Sequence, residues 1–119
     1  MGEQFPLHVT STGKLFLAQL SHAERKQYFA RPLAKIASGT LDDPAILTSE
    51  ISDLLVTGVA WTVDELEDGL TSIAAPIYQQ EQFAAGLWVS VPNYRLTDKE
   101  LLANQVCDTA AAITQLLGE

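Results

Sequence analysis

The sequence predicts an α+β fold in which an antiparallel sheet of three strands follows three N-terminal helices and precedes one long C-terminal helix. Apolar residues recur at helical spacing in the first half of the chain, alternate at every second position from residue 59 to residue 91, and return to helical spacing near the C-terminus. This succession is typical of helices packed against an antiparallel sheet. With 119 residues, the chain has the size of one small domain, which we take as residues 1–119.

Two short helices are predicted before Pro32. The first opens around Thr10 to Thr12 and continues through the apolar run LFLAQL. The second begins after Ser21, because Ser21 and Glu24 have the spacing of a capping box. It ends before Pro32, since a proline disfavours helical geometry in the residue that precedes it.

A third helix is predicted to start at Asp43 and Pro44, because proline is well tolerated in the first helical turn. Thr48 is an alternative N-cap if the helix starts later. The apolar residues at helical spacing are Leu47, Ile51, Leu54 and Leu55. Gly58 is a natural stop for this helix, and residues 33–42 are expected to be irregular or weakly extended.

Three strands follow, in an arrangement typical of a β-meander. The acidic turn ELEDG separates the first strand, which begins near residue 59, from TSIAAPIY. The turn QQEQ then leads into FAAGLWVSV. The open edges of so small a sheet need covering, or a pairing partner outside this chain.

The last helix is predicted from a second capping box, formed by Thr97 and Glu100. Its long apolar stripe consists of Leu102, Val106, Ala110, Ile113 and Leu117. A stripe of this kind is typical of a helix that packs on a sheet along one side.

Alternation sorts the side chains of the strands onto two faces. The predicted core face of the third strand consists of Phe83, Ala85, Leu87, Val89 and Val91, and the other face of Ala84, Gly86, Trp88 and Ser90. Ser72 is a hydroxyl on a mostly apolar face of the second strand, and Thr62 lies opposite Trp61 in the first. A sheet face with small residues and isolated hydroxyls leaves room for a concave small-molecule site. The alternative is that the hydroxyls are tolerated where a helix crosses close to the sheet.

The composition argues against several classes of protein. A net charge of −8 with 7 basic residues argues against direct binding to nucleic-acid phosphates, so if the protein serves DNA, another domain makes that contact. No apolar run approaches the roughly 20 residues that span a bilayer. The N-terminus MGEQFPLH lacks the features of a signal peptide. We therefore expect a soluble, cytoplasmic protein without membrane contact, in which the single Cys107 is structural.

Several motifs that suggest catalysis lack their companions. Gly13 and Lys14 lack the other residues of a Walker A loop. Ser11 and Lys14 match the spacing SxxK of penicillin-recognising enzymes, but the companion SDN and KTG motifs are absent. His8 and His22 have no obvious acid partner, which indicates surface or capping roles.

Metal binding is not indicated either. The acidic residues Asp64, Glu65, Glu67 and Asp68 lack the alternating pattern of an EF-hand loop and are interpreted as a solvated turn. No cysteine and histidine signature of a metal site is present. The sequence therefore predicts no catalytic residue, no metal site and no cofactor.

Four stretches together resemble the effector-binding domain of IclR-family bacterial transcriptional regulators. They are PLHVTSTGKLFLAQL, GVAWTVDELEDGLTSIAAPIY, GLWVSVPNYRLT and the closing helix from Asp98 to Gly118. The order and spacing of these stretches agree with those of the family from about residue 5 to the end of the chain. The resemblance implies a GAF-like fold. It also implies that the winged helix-turn-helix and the first strands of the effector domain are missing here, so the chain is interpreted as a partial effector domain.

The resemblance further implies a small metabolite, often an organic acid or an aromatic compound, bound over the sheet. Carried over by position, the ligand-binding residues are Ser11, Thr12, Thr62, Ser72, Trp88 and Ser90. Ser11 and Thr12 lie at a helix N-terminus, whose N–H groups suit a carboxylate. Thr62 replaces an aspartate of the family and Trp88 replaces a serine. The pocket is therefore smaller, adapted to a flatter or more apolar ligand, or lost.

These observations leave three hypotheses about function. The leading one is a ligand-sensing and oligomerising domain, a homodimer or homotetramer that passes its state to DNA through a separate winged-helix domain. The alternative is a non-sensing interaction or dimerisation module whose pocket is lost or filled. The least favoured is a serine hydrolase that uses Ser11 and Lys14.

Overall fold

The computed structural model describes residues 6–118, and this part of the chain has the predicted fold class. Its helices are α1 (Ser11–Gln19), α2 (His22–Phe29), α3 (Pro44–Thr57) and α4 (Lys99–Leu117). Its strands are β1 (Ala60–Val63), β2 (Leu70–Gln79) and β3 (Gln82–Pro92). Short 3-10 turns at Leu7–Val9 and Asn93–Arg95 precede α1 and α4. Within residues 6–118, no helix has the length and apolar character needed to cross a membrane.

The N-termini of α2 and α3 are capped as predicted. The Ser21 hydroxyl accepts the Glu24 N–H at 3.2 Å, and the Glu24 carboxylate accepts the Ser21 N–H at 2.9 Å, which completes the capping box. The Asp43 carboxylate accepts the Ala45 N–H at 2.9 Å. Thr48, the alternative cap, donates its hydroxyl to a carbonyl inside α3. The helix therefore starts at the earlier of the two predicted positions.

The start of α4 differs from the prediction. The capping box of Thr97 and Glu100 is wrong, because Asp98 is the N-cap and its carboxylate accepts the Leu101 N–H at 2.9 Å. A carboxylate is a stronger acceptor than a hydroxyl at the positively polarised end of a helix, which explains the later start. At the other end Leu117 is 42% exposed, so the packed part of the predicted stripe ends before it.

The sheet has the order β1–β2–β3, and both pairs are antiparallel. In its register Thr62 lies opposite Ser72, and Ser72 lies opposite Ser90. These hydroxyl residues therefore form one row across the three strands, on one face of the sheet. Between β2 and β3, Gln80 and Glu81 have φ of 53° and 64°, as a two-residue hairpin turn of type I′ requires.

A β-bulge in β3 changes its predicted core face. The pairs on either side of the bulge are Ile77 with Ala85 and Tyr78 with Phe83. Ala84 is thus an extra residue, and the interruption turns Phe83 toward the cluster packed under α1. Val89 is 36% exposed, because β3 is an edge strand that α4 covers only in part. The prediction that Phe83, Ala85, Leu87, Val89 and Val91 form a single core face is therefore wrong.

Helices cover both faces of the sheet. Under α1 and α3, the buried apolar residues are Leu15, Leu17, Ile51, Leu54, Ala60 and Ala74. Under α4, they are Val59, Ile73, Ala75, Ile77, Val106 and Ala110. The two clusters are separated by the sheet, and each supplies the apolar contacts that hold its helices in place.

Two glycines allow α1 to lie close to its neighbours. A Cβ at Gly13 would lie 2.2 Å from the Leu7 carbonyl oxygen, so the first turn of α1 packs directly on the preceding 3-10 turn. A Cβ at Gly86 would lie 2.9 Å from Thr12 Cγ2. Because these two residues lack side chains, the N-terminal turn of α1 can pack closely on β3, next to the row of hydroxyls that crosses the sheet.

Candidate functional site

A chain of buried hydroxyls connects α1 with the sheet. Thr62 and Ser72 share a short hydrogen bond across β1 and β2. Ser72 also donates to the Ser11 hydroxyl at 3.1 Å. Because the Ser72 hydroxyl has one hydrogen and uses it in the hydrogen bond to Ser11, it accepts the hydrogen bond that Thr62 donates. Ser11 and Thr62 are each 2% exposed, so these hydrogen bonds replace water contacts that folding removed.

A cavity of about 240 Å³ opens beside these hydroxyls. Its walls are formed by Thr10, Ser11, Thr12, Thr62, Leu66, Leu70, Ser72, Trp88 and Ser90. Every residue of the predicted ligand-binding set therefore lies on one cavity, and the structure adds Thr10, Leu66 and Leu70 to it. That these residues bind a ligand stays a prediction.

The N-terminal turn of α1 forms the polar end of the cavity. Thr10 is the N-cap, and its hydroxyl accepts the Gly13 N–H at 2.9 Å. The N–H groups of Ser11 and Thr12 have no acceptor inside the helix, because the first turn lacks preceding carbonyls. The Thr12 hydroxyl is buried and has no hydrogen-bond partner among residues 6–118. This turn thus offers several unsatisfied donors beside a cavity.

Part of the cavity wall is apolar. Trp88 is 57% exposed and lies on the wall, so it does not fill the cavity. Leu66, in the β1–β2 turn, and Leu70, the first residue of β2, contribute the other apolar side chains. No charged side chain lines the cavity. It is therefore suited to a small, flat molecule with one polar end.

A buried ion-pair network lies one helical turn further along α1, and sequence analysis missed it. Lys14 is 2% exposed. Its ammonium donates to Glu65 Oε1 at 2.6 Å, to the Trp61 carbonyl at 2.9 Å and to Glu50 Oε1 at 3.0 Å. The hydrolase hypothesis paired Lys14 with Ser11, but the Ser11 hydroxyl accepts its hydrogen bond from Ser72. The ammonium is thus occupied by two carboxylates and a carbonyl.

The acidic turn after β1 is not wholly solvated, so that interpretation is wrong for Glu65. Glu65 is 6% exposed, and its second carboxylate oxygen accepts the Val63 N–H at 2.9 Å. Burial raises the pKa of this carboxyl above its usual range, against the opposing effect of the Lys14 ammonium. Lys14 is 36 residues away from Glu50 and 51 residues away from Glu65 in the sequence. No local sequence pattern reveals pairs at such distances.

His8 is buried, so of the two roles expected for it, surface or capping, the surface role is wrong. The ring Nε2 lies 2.9 Å from the Ala34 carbonyl and Nδ1 lies 3.0 Å from the Tyr28 hydroxyl. A carbonyl only accepts, so Nε2 carries the proton and Nδ1 accepts from Tyr28. The ring ties the 3-10 turn before α1 to the segment after α2. His22, the other predicted surface histidine, is exposed.

Other candidate chemistry is absent from the described part of the chain. Cys107 is half-buried on α4, and burial raises the pKa of its thiol, which opposes nucleophilic reactivity. Between residues 6 and 118, no group of three or more histidine, cysteine, aspartate or glutamate side chains is placed to hold a metal ion.

Comparison with known proteins gives a consistent result. Residues 1–115 match the family described as "Bacterial transcriptional regulator IclR C-terminal". The HTH-type transcriptional regulator KipR of Bacillus subtilis is 32% identical over 122 residues, which cover 99% of this chain and 49% of that protein. The Pca regulon regulatory protein of Pseudomonas putida is 37% identical over 103 residues, which cover 85% of this chain and 35% of that protein.

A solved structure shares the fold. The crystal structure of an IclR homolog from Microbacterium hydrocarbonoxydans, complexed with 4-hydroxybenzoate, matches with a TM-score of 0.88 and 24% identity. The match covers 97% of this chain and 47% of that chain. The chain thus spans half or less of the length of these relatives.

Proposed function

The chain belongs to the IclR C-terminal family of bacterial transcriptional regulators, and on this premise we propose that it binds a small organic acid, preferably an aromatic one, in the cavity beside Ser11 and Ser72. In the proposed role the chain is the sensing part of a regulator. The ligand favours one arrangement of the domain, and this bias reaches DNA-binding domains that lie outside the residues described.

One observation carries the proposal. The cavity unites the N-terminal turn of α1 with the hydroxyl row of the sheet, and the Thr12 hydroxyl beside it is buried without a partner. A buried hydroxyl without a hydrogen bond costs free energy, so its presence beside a cavity is consistent with a partner that arrives from outside. The neighbouring N–H groups of Ser11 and Thr12 supply the polarised end of a helix, where carboxylates bind favourably.

The chemistry of the walls narrows the class of ligand. The α1 turn offers one site for a carboxylate, and no lysine or arginine lines the cavity to balance a second negative charge. Leu66, Leu70 and the Trp88 ring present apolar surface, and an aromatic ring stacks well on tryptophan. The cavity of about 240 Å³ is below the roughly 300–1,000 Å³ typical of drug-sized ligands. A compact aromatic monocarboxylate fits these features better than a dicarboxylate.

The proposal extends to the setting in which the domain works. In the proposed role the regulator acts in the cytoplasm, together with its DNA, and as a homodimer or homotetramer in which the ligand biases the arrangement of copies. The chain contributes no catalysis in this role. A serine-reactive probe is expected to leave Ser11 unlabelled, because the Lys14 ammonium hydrogen-bonds Glu50, Glu65 and the Trp61 carbonyl, while the Ser11 hydroxyl accepts its hydrogen bond from Ser72.

The test is a titration of the chain with 4-hydroxybenzoate, with benzoate and succinate as comparison compounds. In the Trp61→Phe background the remaining tryptophan, Trp88, reports binding by a change in its fluorescence, and calorimetry gives the affinity. We expect saturable binding of the two aromatic acids and weaker binding of succinate. Ser72→Ala should weaken binding, whereas the control Ser52→Ala, on the exposed side of α3, should not. Absence of any saturable response would contradict the sensing role.

A second function is favoured by the outer edge of β3. This strand runs from Gln82 to Pro92, and within residues 6–118 no strand pairs with its outer side, so the exposed edge is a template for pairing with another strand. In this alternative the chain is an interaction module, and self-association needs no metabolite. Sedimentation should then show oligomers without ligand that are lost in Val89→Lys, a charge placed on the edge strand. Ligand-dependent association would favour the sensing role instead.

A further inference from the structure

Lys14 does not line the cavity, yet its ammonium joins the parts of the chain that do. Lys14 follows Ser11 by one helical turn, so it belongs to the same rigid end of α1 as the cavity's polar wall. Its shortest hydrogen bond, 2.6 Å, reaches Glu65, which directly precedes the cavity residue Leu66. A second one reaches the carbonyl of Trp61, directly before the cavity residue Thr62. One ammonium therefore sets the spacing of three walls.

The Glu65 carboxylate extends this arrangement along the turn after β1. Its Oε2 accepts the Val63 N–H at 2.9 Å, and its backbone carbonyl accepts the Thr40 hydroxyl. Glu65 is 6% exposed, so water does not compete effectively for these bonds. A displacement of Lys14 must therefore shift Glu65 and, with it, the turn after β1.

The third arm of the network leaves the cavity. Glu50 lies on α3 and accepts from the Lys14 ammonium through both carboxylate oxygens, at 3.0 and 3.2 Å. A separate cleft of about 190 Å³ lies on this side, lined by both residues and by Asp53. Glu50 is about one third exposed, whereas Lys14 and Glu65 are buried, so the network runs from the interior to the surface of α3.

The charges in the network are unequal. One ammonium serves two carboxylates, and burial acts against the ionised form of Glu65. Asp53 adds a further acidic group to the Glu50 side of the cleft. A shift of Lys14 toward one carboxylate weakens its bond to the other, since a single point charge cannot approach both more closely at once. Such an arrangement links the position of α1 to that of α3.

We propose that Lys14 is a positioning residue of the ligand site, which holds the end of α1 against the turn after β1 and transmits changes in the cavity to α3 through Glu50. The role of the cavity rests on the proposed function, whereas the link between the cavity walls and α3 is a property of the unliganded chain. The two are therefore tested separately.

The test compares Glu50→Gln with the matched control Asp53→Asn by amide resonances of the full chain without ligand. Both changes replace a carboxylate by an amide on α3, but the ammonium of Lys14 bonds only the first. We expect Glu50→Gln to shift the resonances of Val63, Thr62 and Ser11, because the Lys14 ammonium moves toward Glu65. Equal shifts of these resonances in the two variants, or shifts confined to α3, would overturn the proposal.

Ligand addition extends the same comparison. With 4-hydroxybenzoate as the probe, wild-type chain should show shifts in the α3 amides around Glu50, and Lys14→Met/Glu65→Gln should bind the probe more weakly and show no α3 shifts even when saturated with it. The double variant removes the ammonium together with the buried carboxylate, so no buried charge is left unpaired. If the wild-type chain does not bind the probe, the proposed ligand class fails, and the unliganded comparison still decides the role of Lys14. If the probe binds and still shifts the α3 amides in the double variant, the proposed role of Lys14 is contradicted.

Discussion

The two faces of the sheet bury different kinds of side chain. The face under α4 buries mainly aliphatic residues such as Ile73 and Val106. The face under α1 buries hydroxyls, an ammonium and a carboxylate, of which Lys14 and Ser11 are each 2% exposed. Aliphatic packing tolerates small changes of shape, whereas buried polar groups need each partner in place. Apolar clusters on both faces maintain the fold, and the α1 face in addition carries the specific geometry of the candidate site.

Removing the ammonium on the α1 face should have the largest effect. Lys14→Met leaves the Glu65 carboxylate buried without its partner, which is expected to lower the free energy of unfolding by about 3–5 kcal/mol. Urea unfolding followed by circular dichroism measures it. Lys26→Met, on the exposed surface of α2, is the control and should stay within about 0.5 kcal/mol of wild type. A loss below about 1 kcal/mol for Lys14→Met would show that the network contributes little.

Creating a cavity in the α4 face should lower the free energy of unfolding by about as much as Lys14→Met does, but for a different reason. Ile73 is fully buried, and Ile73→Ala removes aliphatic contacts worth about 2–5 kcal/mol. Because no charge is uncovered, this loss should be the same at pH 5 and pH 8, whereas the loss in Lys14→Met should be smaller at pH 5, where Glu65 is more readily protonated. Unfolding at both pH values checks it. A pH-dependent loss in Ile73→Ala would remove the distinction between the faces.

The unpartnered hydroxyl on the α1 face should have a smaller effect of opposite sign. Thr12→Val removes a buried group that lacks a hydrogen bond, so the unliganded chain should become more stable, by about 1 kcal/mol. Affinity for 4-hydroxybenzoate should fall at the same time. Thr62→Val is the matched control, because its hydroxyl is bonded to Ser72 and its loss should destabilise the chain. If Thr12→Val is also destabilising, the hydroxyl has a partner that the structure does not show.

The smallest expected effect is the pH dependence that Glu65 adds to stability. Its pKa is raised in the folded chain, so the folded state holds the proton more tightly than the unfolded state. This contribution is complete below the ordinary glutamate pKa of about 4.3 and is lost as the pH rises through the raised value. The free energy of unfolding of wild type, relative to Glu65→Gln, should therefore decrease with rising pH across that window. A difference that increases with pH would contradict the assigned direction.

Much of the architecture could be predicted because its causes are local. The capping box of Ser21 and Glu24, the start of α3 at Asp43, and the alternation in the strands all act within a few residues, and the structure confirms each one. Alternation also assigned Ser72 to one face of β2 and Ser90 to one face of β3. The antiparallel register then brings them opposite each other, since pairing joins residues of like orientation.

The errors arose where a local pattern competed with a neighbour that the pattern does not contain. Thr97 had the spacing of a cap, but the carboxylate of Asp98 took the position. The acidic turn had the composition of a solvated loop, but Glu65 turned inward to the Lys14 ammonium. His8 was likewise placed at the surface, although Tyr28 and the Ala34 carbonyl enclose it.

The sequence by itself determined the order of helices and strands, the position of most of their ends, and six of the nine residues that line the cavity, because these follow from periodicity, capping and resemblance. Only the tertiary structure decided how Lys14 is paired and which side of the sheet Phe83 occupies. The physical reason is the distance along the sequence over which each interaction acts. Periodicity and capping act between residues a few positions apart, whereas the partners of Lys14 lie 36 and 51 positions away and meet it only when the helices close on the sheet.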